Sequence, residues 1–109
     1  MSGFYFTDQE KRAIAKVLLD IVNADGKVAL GEGLYFKQLQ NNLHISDEQI
    51  RAAKSMGVLT AINIIRNMTQ AERLAVGIMM QQMVEADGDI NSDELKVFNV
   101  VCEMGDICK

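Results

Sequence analysis

Ile21-Val-Asn-Ala-Asp-Gly-Lys-Val-Ala-Leu-Gly-Glu32 and Met83-Val-Glu-Ala-Asp-Gly-Asp-Ile-Asn-Ser-Asp-Glu94 carry the same Ala-Asp-Gly turn and the same trailing glutamate, 62 residues apart. A fixed offset is the mark of a repeated unit, so the comparison is extended outward from the turns. Residues 7–45 align without a gap on residues 69–107, and ten of the 39 positions are identical. They include Thr7/Thr69, Glu10/Glu72, Ala13/Ala75, Phe36/Phe98 and Ile45/Ile107, which are the cap and core positions of two helices around a turn.

Thr7-Asp-Gln-Glu10 and Thr69-Gln-Ala-Glu72 read as capping boxes that open a helix at the same place in each copy. Ile14, Val17, Leu18, Ile21 and Val22, and then Val76, Met79, Met80, Met83 and Val84, recur at helical spacing and form one apolar stripe per helix. Methionine fills irregular cores, so Met79, Met80 and Met83 are read as core. Gly26 and Gly88 end these helices, because glycine takes the left-handed backbone without a Cβ clash. Val28 and Ile90 then fold inward, and second helices start near residues 30 and 92. Phe36 and Leu39, like Phe98 and Val101, supply their inward faces, and Gly105 marks the end of the last helix. Between the copies, residues 46–68 form a helical linker. Ser46-Asp-Glu-Gln49 opens it, Gly57 interrupts it, and Val58, Ile62 and Ile65 line its second part. The expectation is one all-α domain over residues 1–109, a compact bundle of about six helices with internal pseudo-two-fold duplication. Proline and tryptophan are absent, which suits uninterrupted helices.

A net charge of −4 excludes a non-specific nucleic-acid binder, which needs a basic face. The opening MSGFYFTDQEK lacks the basic start and apolar run of an export signal, and Leu74 to Val84 is too short and too polar to span a bilayer. Cys102 and Cys108 show neither metal nor disulfide-framework spacing, so a reducing, cytoplasmic setting is expected. No Ser-His-Asp set, phosphate loop or zinc spacing is present. His44, the single histidine, reads as a surface residue at a helix end, and Cys102 as a small core filler. The chain is therefore expected not to be an enzyme.

The acidic turns resemble the later half of an EF-hand calcium loop, with Asp25 or Asp87 at loop position 5 and Glu32 or Glu94 at position 12. Position 1, which needs a carboxylate, falls on Ile21 or Met83, so a standard calcium loop is rejected. Two readings remain. Asp87, Asp89 and Glu94, with Asp25 and Glu32 as the poorer counterparts, can offer hard oxygens to a divalent cation. Alternatively, the glycine ends one helix, the aspartate bonds to local amides and the glutamate favours the positive start of the next helix. The second turn is the better cation candidate, because the first has Lys27 for Asp89 and Ala29 for Asn91.

The duplicated element, Leu18 to Val28 with Glu32 and Met83 to Ile90 with Glu94, resembles the TerB-like domain of the tellurite-resistance family. That resemblance implies a helical bundle in bacterial stress-response or membrane-associated settings, with adaptor or sensor roles sometimes linked to metal ions. Related domains also accompany J-domains, but the His-Pro-Asp signature is absent from this chain. The expected function is a non-enzymatic interaction module with a protein partner. Peripheral membrane association stays open, as does a homodimer through aromatic surface near Phe4, Tyr5, Phe6 and Tyr35.

Overall fold

Three capping boxes set the frame of the molecule: Thr7, Ser46 and Thr69 each accept a hydrogen bond from the third amide of the helix they open, while Glu10, Gln49 and Glu72 reach back to the cap amide. The computed structural model describes residues 6–24, 30–86 and 92–107. The Ala-Asp-Gly turns, with Val28 and Ile90, lie outside the described residues, as do Phe4, Tyr5 and Cys108. Six helices follow one another: α1 (Asp8–Val22), α2 (Leu30–Asn42), α3 (Asp47–Ser55), α4 (Val58–Arg66), α5 (Gln70–Glu85) and α6 (Ser92–Met104). No strand occurs among the described residues, and the fold is an all-α bundle. Its radius of gyration of 12.5 Å and extents of 30 × 28 × 27 Å describe a nearly isotropic body.

The apolar stripes read from the sequence are buried. Ala13, Ile14, Val17, Leu18 and Ile21 of α1 join Val76, Met79, Met80 and Met83 of α5 in a single core, to which α4 adds Ala61, Ile62 and Ile65. α1 is the hub, packed on α3, α4, α5 and α6. The fully buried Ala13, Ala15, Ala53 and Ala61 keep its contacts with α3 and α4 close, since small residues let helix axes approach. The packing crosses over between the two sequence units. α2 lies on α5, while α6 lies on α1 as well as on α5 and α4. Phe6 is 8% exposed and belongs to the core, so it is not part of an exposed aromatic patch. Met-rich α5 is core on its inner face and exposes Leu74 and Ile78 on its outer one.

The ends of α2 and α6 share one geometry. The amides of Ile45 and Ile107 donate to the carbonyls of Gln40 and Cys102, five residues back, at 2.9 and 3.0 Å. His44 and Asp106 both sit at φ 56°, the left-handed residue of such a terminus. The carbonyls of these two residues accept from Lys11 Nζ at 3.3 Å and Arg73 Nε at 3.0 Å, again positions 62 apart. Gly105 does follow the last helix, but the left-handed residue is Asp106. Gly105 is instead a space constraint: a Cβ there would stand 2.8 Å from the Val101 carbonyl and 3.1 Å from the Ile107 side chain.

Candidate functional site

The residues singled out around the acidic turns separate into two groups. Asp25, Asp87 and Asp89 lie outside the described residues. Glu32 and Glu94 stand in the first turns of α2 and α6, and each is 1% exposed. Both glutamates take part in interactions within the protein. A glutamate near a helix start usually sits in solvent, so their burial is the feature that the sequence did not disclose. Ile21 and Met83, at the place of a calcium loop's first ligand, are fully buried in the core and closed to a cation. Among the described residues, no three His, Cys, Asp or Glu side chains are grouped to hold a metal.

His44 is exposed at the end of α2, and Cys102 packs half-buried at the edge of the core. Tyr35 of α2 is the side chain whose ionisation shifts clearly: burial raises its pKa above the ordinary phenol value. Its hydroxyl donates to Gln82 Oε1 of α5, so it is a neutral link between two helices.

That link lies across one of two grooves, and the two are related by the 62-residue offset. The first, of about 220 Å³, runs between α2 and α5, with Tyr35, Gln38, Leu39 and Gln82 in its lining. The second, of about 420 Å³, runs between α1 and α6 and reaches the first residue of α4. There Val97, Val100, Val101 and Asp20 occupy the positions that correspond to Tyr35, Gln38, Leu39 and Gln82. The exchange of Tyr for Val and Gln for Asp removes the pair that spans the first groove, and the second is the larger and the more apolar. Asn23, two residues before Asp25, lines it, and so does Lys96, two residues after Glu94. Both turns are thus attached to its walls. Asp20 pairs with Lys16 at 3.0 Å, whereas Lys96 makes no ion pair among the described residues.

The open groove was missed at the level of sequence, although a signal for it exists. Leu95, Val97, Phe98, Val100 and Val101 place apolar side chains around most of α6, more than one inward stripe can bury. Phe98 and Val101 pack inward, and Val100 is left 51% exposed. No described helix is long and apolar enough to cross a membrane.

The chain matches no protein-family model and no curated protein. Its fold is similar to that of a solved structure, a protein of unknown function from Porphyromonas gingivalis W83, with a TM-score of 0.83 and 23% identity over all of this chain and 86% of that one. At that identity the likeness extends to the arrangement of helices: the bundle described above is a fold that a crystal structure also adopts.

Proposed function

We propose that the chain is a non-enzymatic interaction module of TerB-like type, in which the α1–α6 groove and the two acidic turns attached to its walls hold a protein partner. The observation that carries this reading is the difference between the grooves. A hydrogen bond spans the α2–α5 groove, while its counterpart presents valines and a lysine that makes no ion pair among the described residues. Exposed apolar surface rimmed by polar groups is the ordinary form of a protein contact site. In keeping with the resemblance, we place the module in the cytoplasm, in bacterial stress response or tellurite resistance, and treat residues 1–109 as one domain made of two copies of an ancestral unit.

The test compares partner capture from extracts of the native organism. Asp20→Gln with Val97→Tyr copies the spanning pair into the open groove, and Asp87→Asn with Asp89→Asn removes charge from the second turn. Both variants should keep the fold by circular dichroism and lose the partner. If both retain every partner held by the wild type, the reading fails.

A second reading is supported by the matched burial of Glu32 and Glu94, each at the end of an acidic turn. It assigns a divalent cation, such as calcium, magnesium or manganese, to Asp87, Asp89 and Glu94, with Asp25 and Glu32 as a weaker second set. Calorimetry and thermal shifts at millimolar metal decide it. A saturable response abolished by Asp89→Asn supports the cation, and a flat response removes it.

A further inference from the structure

We infer that the occupant of the open groove is a short amphipathic helix that inserts aliphatic side chains between α1 and α6 and sets an acidic residue against Lys96. This inference rests on the interaction-module reading and specifies its partner.

Three observations lead to that occupant. The floor is formed by Val97, Val100 and Val101 of α6 and Val58 of α4, and its volume of about 420 Å³ suits a few aliphatic side chains. Val97 and Val101 lie one helical turn apart, so matching anchors lie one turn apart as well. The walls, secondly, are helices. Their backbone groups are bonded within each helix and offer no sheet edge on which an extended peptide could add a strand. Affinity must come from side chains, and a segment that buries an apolar face there must satisfy its own backbone. A helix does so.

The rim, thirdly, carries a cation with no ion-pair partner among the described residues. The Asp20 carboxylate is already compensated by Lys16. Lys96 has no such partner among the described residues. α4 begins at Val58, on the groove, with no side-chain cap and no acidic residue in its first turn. The start of α4, with the positive end of its dipole, therefore lies at the edge of the groove. Charge complementarity calls for a carboxylate on the incoming segment. The neighbouring Leu59, 64% exposed, extends the apolar rim.

The experiment selects peptides against the full-length protein from a displayed library of helix-favouring sixteen-residue sequences, with Asp20→Gln/Val97→Tyr protein as the counter-selection. Enriched sequences should carry aliphatic residues at i, i+3 or i+4 and i+7, with Asp or Glu beside them. Val100→Glu, a change at an exposed position, should weaken the best peptide about tenfold or more. Lys96→Glu should weaken it several-fold, and a peptide with Lys in place of its acid should regain the loss. No enrichment, enrichment of extended or basic sequences, or indifference to Val100→Glu overturns the inference. A concentration-dependent rise in mass by sedimentation, abolished by Val100→Glu, replaces the helix by a second copy of the chain and leaves the module reading standing. Absence of groove-dependent partner capture removes that reading itself.

Discussion

The α2–α5 and α1–α6 grooves occupy corresponding places, yet one is spanned by a hydrogen bond and the other is larger and unspanned. The difference rests on few side chains. Tyr35 and Gln82 are hydrogen-bonded across the first, and at the same positions of the second stand Val97, whose side chain has no hydrogen-bonding group, and Asp20. The backbone around them is matched: α2 and α6 start and stop 62 residues apart, both begin with a buried glutamate, and both end on a left-handed residue held by a basic side chain. The bounds and termini of α2 and α6 match, and what sets the two grooves apart is the chemistry of their linings.

The comparison can be pressed hardest by separating the halves. α2 packs on α5 of the other unit, so the first unit by itself leaves its core face uncovered. A fragment of residues 1–45 should lose essentially all helical signal by circular dichroism, and a folded fragment would show the units to be independent. Next come the matched core positions of the two long helices. Leu18→Ala, at the hub, should cost about 4 kcal/mol, and Met80→Ala about 3 kcal/mol, because flexible methionines surround the second site and let it collapse further. Urea denaturation measures both, and a reversed order would contradict α1 as the hub.

The buried glutamates sharpen the similarity. Glu32→Ala and Glu94→Ala each leave polar partners without a carboxyl group, and each should cost about 2 kcal/mol. Unequal losses would show that only one turn depends on its glutamate. The spanning pair tests the difference: Tyr35→Phe should cost about 1 kcal/mol by removing the link to Gln82. It should also change the alkaline limb. Burial raises the Tyr35 pKa in the folded state, so its stabilisation is complete below the unfolded value near 10.0 and is lost as pH rises through the folded value. The wild type should therefore fall more steeply than Tyr35→Phe above pH 10 in chemical denaturation. The smallest effect expected is at the terminus of α2, where His44→Gly relieves a left-handed side chain and should raise stability by roughly 0.5 kcal/mol.

Much of the bundle could be read from residues close together in the chain. Thr7-x-x-Glu10, Ser46-x-x-Gln49 and Thr69-x-x-Glu72 state where helices begin, and Gly57 divides α3 from α4 as its place in the linker suggested. The starts of α2 and α6 fall at residues 30 and 92, where the alignment put them. The candidate site was less legible. Asp25, Asp87 and Asp89 fall outside the described residues, and the burial of Glu32 and Glu94 has no mark in the local sequence, where a glutamate in a first helical turn fits solvent as well as the interior. Phe6, expected in an aromatic surface open to a second copy, is part of the core. Gly105 follows the last helix as expected, but the left-handed residue is Asp106, and at Gly105 a Cβ would crowd Val101 and Ile107.

The sequence by itself determined the all-α class, the helix boundaries and the inward stripes, because caps and 3.6-residue periodicity act over a few residues along one chain. Only the tertiary structure decided that α2 packs on α5 and that α6 packs on α1 as well as on α5, and so which side chains face one another across each groove. Tyr35 and Gln82 are 47 residues apart, and no local rule tells that they meet, or that Val97 and Asp20 leave the matching groove open.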